Sequence, residues 1–137
     1  ETINNEDAFL LMEAYAAYSE RFGNRKNADE YLFQAGEIAM GLNMTIESLK
    51  YLDRLYNEYP DYEKRAYGLF LKAFVLENQA QNLEEAKKNY EQFLSEFPNH
   101  EMVDDAKASI QNLGKTPEQI IREFEIQDSL RKLNEAS

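Results

Sequence analysis

His100 is the only histidine in a chain of 137 residues that has no cysteine. Nucleophilic catalysis needs a base oriented beside the nucleophile, most often a histidine. A single imidazole with no second histidine or thiolate also makes a poor metal cluster. Because His100 follows a turn, its expected surroundings are solvent or a helix end. The acidic pairs Glu84-Glu85 and Asp104-Asp105 are the next candidates for chemistry. Both fall in first turns of predicted helices, where a carboxylate is favoured by the positive end of the helix dipole without any metal or acid-base role. Gly114-Lys115-Thr116 resembles the end of a phosphate loop, but the upstream glycine of that motif would fall at Ser109. The motif fails, and the sequence is expected to need no cofactor, no metal and no enzymatic activity.

What remains is aromatic: nine Tyr and eight Phe. Most sit on helical stripes, so packing is their first use. Runs such as Tyr31-Leu32-Phe33 and Tyr67 to Leu71 cannot all face inward, which leaves some aromatics for a binding surface. The 26 Asp and Glu against 15 Lys and Arg give a net charge of −11. That field repels phosphate backbones and anionic membranes, so nucleic acid is excluded as a partner class. No apolar run reaches the ~20 residues of a membrane-spanning helix. The chain starts at Glu1-Thr2-Ile3 with no initiating Met or signal-like segment, as expected of a processed or trimmed piece of a longer protein.

The elements that hold these residues are read from the stops. Glu20-Arg21-Phe22-Gly23-Asn24, Glu58-Tyr59-Pro60-Asp61 and Glu96-Phe97-Pro98-Asn99 end three helix-like runs. Phe22 to Tyr59 is 37 residues and Tyr59 to Phe97 is 38, a period that means stacked helical units. Seven helices are expected. The first runs from Glu6 to Phe22, closed by left-handed Gly23-Asn24. Asn27-Ala28-Asp29-Glu30 reads as a capping box opening the second, to Gly41. The third opens at Thr45, with Ile46, Leu49, Leu52, Leu55, Tyr56 and Tyr59 inward, and stops at Pro60. A fourth carries Ala66 to Leu76 and is apolar on more than one side. Asn82 caps a fifth, with Leu83, Ala86, Tyr90, Phe93, Leu94 and Phe97 inward. A sixth runs from Glu101 to Leu113 and closes on Gly114. The last begins at Thr116-Pro117 and is expected to cap the stack with Ile120, Ile121, Phe124, Leu130 and Leu133, its tail from Asn134 to Ser137 frayed.

Aligned on their terminal turns, the third and fifth helices match in character: Ser48 with Ala86, Leu52 with Tyr90, Leu55 with Phe93, Pro60 with Pro98. This pattern resembles the tetratricopeptide repeat, which places small residues at close contacts and a proline at the close. The resemblance implies an all-α, α-α superhelix in a single domain. Residues 1–24 would be the second half of an incomplete repeat, 27–61 and 62–99 full repeats, 100–114 a partial one and 116–134 the cap. Gly36, Ala39, Ser48, Leu52, Leu55 and Pro60 would be the signature of one repeat, and Ala73, Ala86, Tyr90, Phe93 and Pro98 that of the next.

The first helix of each repeat in this family lines a concave groove that binds extended or helical peptides. By position, Glu30, Phe33, Glu37 and Met40 of one repeat, and Phe70, Phe74 and Glu77 of the next, are the implied groove residues. An aromatic floor with an acidic rim suits an apolar or basic peptide. Glu30, Glu37 and Glu77 stand where co-chaperone relatives carry a basic carboxylate clamp, so a C-terminal carboxylate is not the expected ligand. The Phe97-Pro98-Asn99 turn, Asp104-Asp105-Ala106 and the Asn112 to Glu118 link resemble periplasmic bacterial repeat lipoproteins of outer-membrane assembly and Tol-Pal type, with Gly114 to Glu118 similar to those of Bacteroidetes. That implies a cell-envelope scaffold, periplasmic or held at the outer membrane by a lipidated cysteine upstream. The alternatives are a cytoplasmic location, and a structural spacer, an oligomerisation segment or an accessory domain of a larger envelope or nutrient-uptake protein.

Overall fold

A computed structural model describes residues 3–136. It contains seven α-helices: α1 (Asn5–Arg21), α2 (Ala28–Gly41), α3 (Thr45–Glu58), α4 (Arg65–Asn78), α5 (Leu83–Glu96), α6 (Val103–Asn112) and α7 (Pro117–Ala136). Among the described residues there is no strand. From α1 to α6 each helix packs on the next, the arrangement of an α-α repeat.

The recurring punctuation is a recurring backbone. Phe22, Tyr59 and Phe97 each close a helix, and their amides donate to the carbonyls of Tyr18, Leu55 and Phe93. After each the same ladder follows: Arg25 donates to Phe22 and Ala28 to Arg25; Tyr62 to Tyr59 and Arg65 to Tyr62; His100 to Phe97 and Val103 to His100. These bonds satisfy amides and carbonyls that helix ends leave open, so the connection is fixed in shape each time it recurs. The two turns inside the repeats also match, each with a left-handed residue, Asn43 (φ 57°) and Gln81 (φ 53°).

Local expectations fare unevenly. Gly23 and Asn24 are not left-handed, because the ladder from Phe22 already closes α1. Asn27 is itself left-handed (φ 71°), which swings its side chain away from the helix amides, so the capping box before α2 does not form. Glu30 turns instead to Tyr62 and Lys64. At α5, Asn82 does cap: its Oδ1 accepts the Glu85 amide at 3.2 Å. At α7 the reciprocal box is complete, with the Gln119 amide donating to Thr116 Oγ1 (3.1 Å) and the Thr116 amide to Gln119 Oε1 (2.8 Å). Gly114 takes φ +75° and ends the sixth helix as expected.

Two buried clusters share one stack. The first joins Met12, Leu32, Phe33, Leu52 and Leu55 with Leu71 and Val75; the second joins Leu69, Phe70, Tyr90, Phe93 and Ala106. The signature positions lie inside them. A Cβ on Gly36 would stand 2.9 Å from Leu52 Cδ2, so α2 and α3 touch there without a side chain between them. Ser48 is fully buried and donates its hydroxyl to the Thr45 carbonyl at 3.0 Å. Ala39, Ala73 and Ala86 are fully buried too, while Pro60 and Pro98 are exposed. Ile46 and Leu83, expected inward, are exposed; each lies in the first turn of its helix, and Leu83 reaches the Gly114 turn.

The last helix stands where the cap was expected, but it buries no residue. Its apolar residues divide between two faces. At 100° per residue, Ile120, Ile121 and Phe124 fall on one side and Ile126, Leu130 and Leu133 on the other. The stack buries neither stripe, and Ile121, Phe124, Ile126, Leu130 and Leu133 are exposed. Residues 134–136 continue the helix rather than fray; Ser137 lies outside the described residues.

Candidate functional site

The chain's aromatic rings form a path through the stack. Phe33 on α2 meets Tyr67 on α4 at 6.0 Å between ring centroids, and Tyr67 stacks on Phe70 at 6.4 Å. Phe70 meets Phe93 on α5 edge-on at 5.7 Å, and Phe93 meets the imidazole of His100 at 5.3 Å. Offset and edge contacts of this kind add to the burial of each ring. They fix helix to helix, and they leave Tyr67 half-buried at the surface between α2 and the turn before α6.

There a cleft of ≈ 490 Å³ opens, lined by Phe33, Glu37, Glu63, Lys64, Tyr67, His100 and Glu101. It lies on the α2 and α4 face, with the α3–α4 and α5–α6 turns at its edge. Of the seven residues assigned to a groove from sequence, Phe33 and Glu37 reach this cleft. Phe33 is its floor, 2% exposed, under Tyr62, Tyr67 and the Lys64 ammonium, which sits 5.2 Å from its centroid. Glu30 lies beside the cleft and is already engaged, accepting from Tyr62 (2.9 Å), Gln34 (3.3 Å) and Lys64 (3.4 Å).

The other four are placed elsewhere. Met40 packs half-buried on the first cluster. Phe70 is buried against Tyr67, Tyr90 and Phe93. Phe74 is exposed but does not line the cleft. Glu77 accepts the Tyr90 hydroxyl at 2.8 Å. Tyr67, Glu63, Lys64, His100 and Glu101 were not foreseen there. Four of those five sit in turns, where helix periodicity says nothing.

The charges around the cleft are unequal in their freedom. Lys64 is held by Glu30, whereas Glu37, Glu63 and Glu101 make no hydrogen bond or ion pair with a side chain among the described residues. Burial raises the Glu37 carboxyl above its usual range; nearby Lys64 offsets part of this and Glu30 adds to it. Burial also pushes on Glu30, but the bonds from Tyr62 and Gln34 and the Lys64 charge bring it below the usual range. Burial and then Glu30 raise the Tyr62 phenol, which keeps it a donor. His100 Nδ1 accepts the Met102 amide at 3.0 Å, so its neutral ring carries the proton on Nε2, and it serves the start of α6.

A second hollow of ≈ 460 Å³ on the α3 and α5 side makes the contrast. Its lining includes Ile46, Leu49, Leu76, Lys50 and Glu85, and its Asp53 and Lys72 are already paired at 2.9 Å. Among the described residues no group of three His, Cys, Asp or Glu is placed to hold a metal ion, and no helix is long and apolar enough to cross a membrane.

Comparison with known proteins agrees with the repeat geometry. No curated protein matches the chain. The family model of the tetratricopeptide repeat matches residues 67–100, from the first turn of α4 through His100. That stretch carries Tyr67 and the ring path from Phe70 to His100. The chain therefore contains a tetratricopeptide repeat, a module whose general use is non-catalytic scaffolding between proteins.

Proposed function

We propose that this protein is a non-catalytic scaffold that holds a peptide segment of a partner along the α2 and α4 face, with a Lys or Arg side chain of that peptide seated in the cleft at Tyr67. The observation that carries this reading is the asymmetry of the cleft: three carboxylates that form no ion pair among the described residues surround an aromatic floor whose one cation is already paired with Glu30. A guanidinium or ammonium over the Tyr67 ring gains from the ring face and from the acids together. Apolar neighbours in the peptide would rest on the exposed part of Tyr67. The stacked helices fix these side chains before the peptide arrives, so little ordering cost falls on binding. The overall charge of −11 speeds encounter with a basic segment. We place the scaffold in a bacterial cell envelope, on the resemblance of the Gly114 to Glu118 link.

Display selection of random peptides on the immobilised protein, followed by titration, tests this. Selected peptides should carry Lys or Arg beside apolar residues, and a Glu37→Lys, Glu101→Lys variant should lose at least about 10-fold in affinity. Selection of acidic peptides, or unchanged affinity in the variant, would overturn the reading. Phe33→Ala and Phe70→Ala are unsuitable probes, since both rings are buried and their loss would loosen the stack.

A further inference from the structure

The C-terminal half of α7 is built for a helix partner, and its charges choose which. Ile126, Leu130 and Leu133 repeat at steps of four and three, the spacing of a coiled-coil seam. They are 50%, 55% and 67% exposed. From Ile126 onward the flanking positions Gln127, Ser129, Asn134 and Ala136 carry no charge, and the oppositely charged Arg122 and Glu125 border the seam at its N-terminal end. Every charged residue from 126 to 136 lies on the far side and is engaged within the helix: Asp128 with Arg131 (2.7 Å) and Lys132 (3.1 Å), and Arg131 with Glu135 (3.3 Å). Two acids against two bases make this segment neutral in a protein of net charge −11.

From this we infer that the seam pairs with the same seam of a second copy, the two helices running antiparallel about Leu130. Two strongly acidic copies can meet on this surface without repulsion, because the segment from Ile126 to Ala136 carries no net charge. In the antiparallel arrangement Leu130 meets Leu130 and Ile126 meets Leu133. That orientation also puts the two acidic bodies at opposite ends of helices about 30 Å long, where screening separates them. The other apolar stripe, Ile121 and Phe124, faces away and takes no part.

The contact is small. Three large side chains per copy cover on the order of 300 Å², under half of the roughly 800 Å² per partner of a standard interface. The expected association is weak, with a dissociation constant on the order of 10 µM to 1 mM. Pairing leaves the α2 and α4 cleft open, so the inference stands apart from the peptide reading.

Sedimentation equilibrium across that concentration range tests it. The weight-average mass should rise from 16.0 kDa toward twice that value. Added salt should leave the association intact or strengthen it, as screening removes repulsion between acidic bodies. Leu130→Asp should abolish it and Ile121→Asp should not; both positions are exposed, so unchanged circular dichroism is expected for each. A mass fixed at 16.0 kDa up to about 1 mM overturns the inference. So does an association that survives Leu130→Asp. Growth past twice the mass, as a head-to-tail contact between α7 and the exposed Phe9, Leu10 and Leu11 of α1 would give, overturns it as well.

Discussion

The repeat made by α2 and α3 and the repeat made by α4 and α5 share a backbone and fill it differently. In the first, Gly36 lets α3 approach so closely that Leu52 occupies the space a Cβ would need. At the matching places of the second stand Ala73 and Tyr90, both fully buried. The larger pair brings a hydroxyl inside, and the position that is Met40 in the first repeat is Glu77 in the second, where it accepts that hydroxyl. Apolar meets apolar in one repeat, and donor meets acceptor in the other. Substitutions at packed positions are therefore coupled between neighbouring helices, which is how one geometry accepts two fillings.

The largest test of that difference removes the ring at the centre of the second repeat. Phe93→Ala should destabilise by about 3–5 kcal/mol, since it empties the junction of Phe70, Phe97 and His100. Leu55→Ala, its counterpart, should cost about 2–4 kcal/mol. Urea unfolding monitored by circular dichroism orders the two, and equal or reversed costs would mean that the ring path adds nothing. Next, Tyr90→Phe should cost about 1–2 kcal/mol by leaving Glu77 without its donor. Adding Glu77→Met, the first repeat's solution, should restore most of the loss. Gly36→Ala should destabilise by about 1 kcal/mol: crowding at Leu52 outweighs the gain in helix propensity. The Gly36→Ala, Leu52→Ala double variant should cost less than the sum of the two single changes.

The smallest effect is electrostatic and has two signs. Glu30 is held below its usual range, so its contribution is present above the unfolded-state value and is lost as pH falls through the lower folded value. Glu37 is raised, so its contribution is present below the unfolded-state value and is lost as pH rises through the higher folded value. Glu30→Gln should therefore be less stable than the parent near pH 7 and converge with it in acid. Glu37→Gln should be at least as stable as the parent near pH 7. Urea midpoints at several pH values check both.

The helices were legible in the sequence because their stops were. Pro60, Gly114, Asn82 and Thr116 act locally, and the spacing of Phe22, Tyr59 and Phe97 reports a turn that repeats bond for bond. Asn27 misled because its backbone is fixed by the ladder from Phe22, a medium-range constraint that overrides its side-chain preference. The groove was legible only in part. Phe33 and Phe70 are equivalent, and both were chosen as surface, yet each is covered by Tyr67. Helical periodicity finds the apolar face but not which ring lies outermost on it. Lys64, Glu63, His100 and Glu101 come from turns, so only the packing of one repeat on the next brings them together. The division of α7 into two stripes was visible in its spacing, but not that neither is covered by the stack.

The central claim is that a basic peptide enters the cleft at Tyr67. Mapping amide chemical-shift changes as a selected Lys- or Arg-containing peptide is titrated in measures this most directly. The largest changes should gather at Glu37, Glu63, Tyr67 and Glu101, and shrink as the pH is lowered toward the raised Glu37 value. Changes centred instead on Ile46, Leu49 and Leu76, across the stack, would contradict the account.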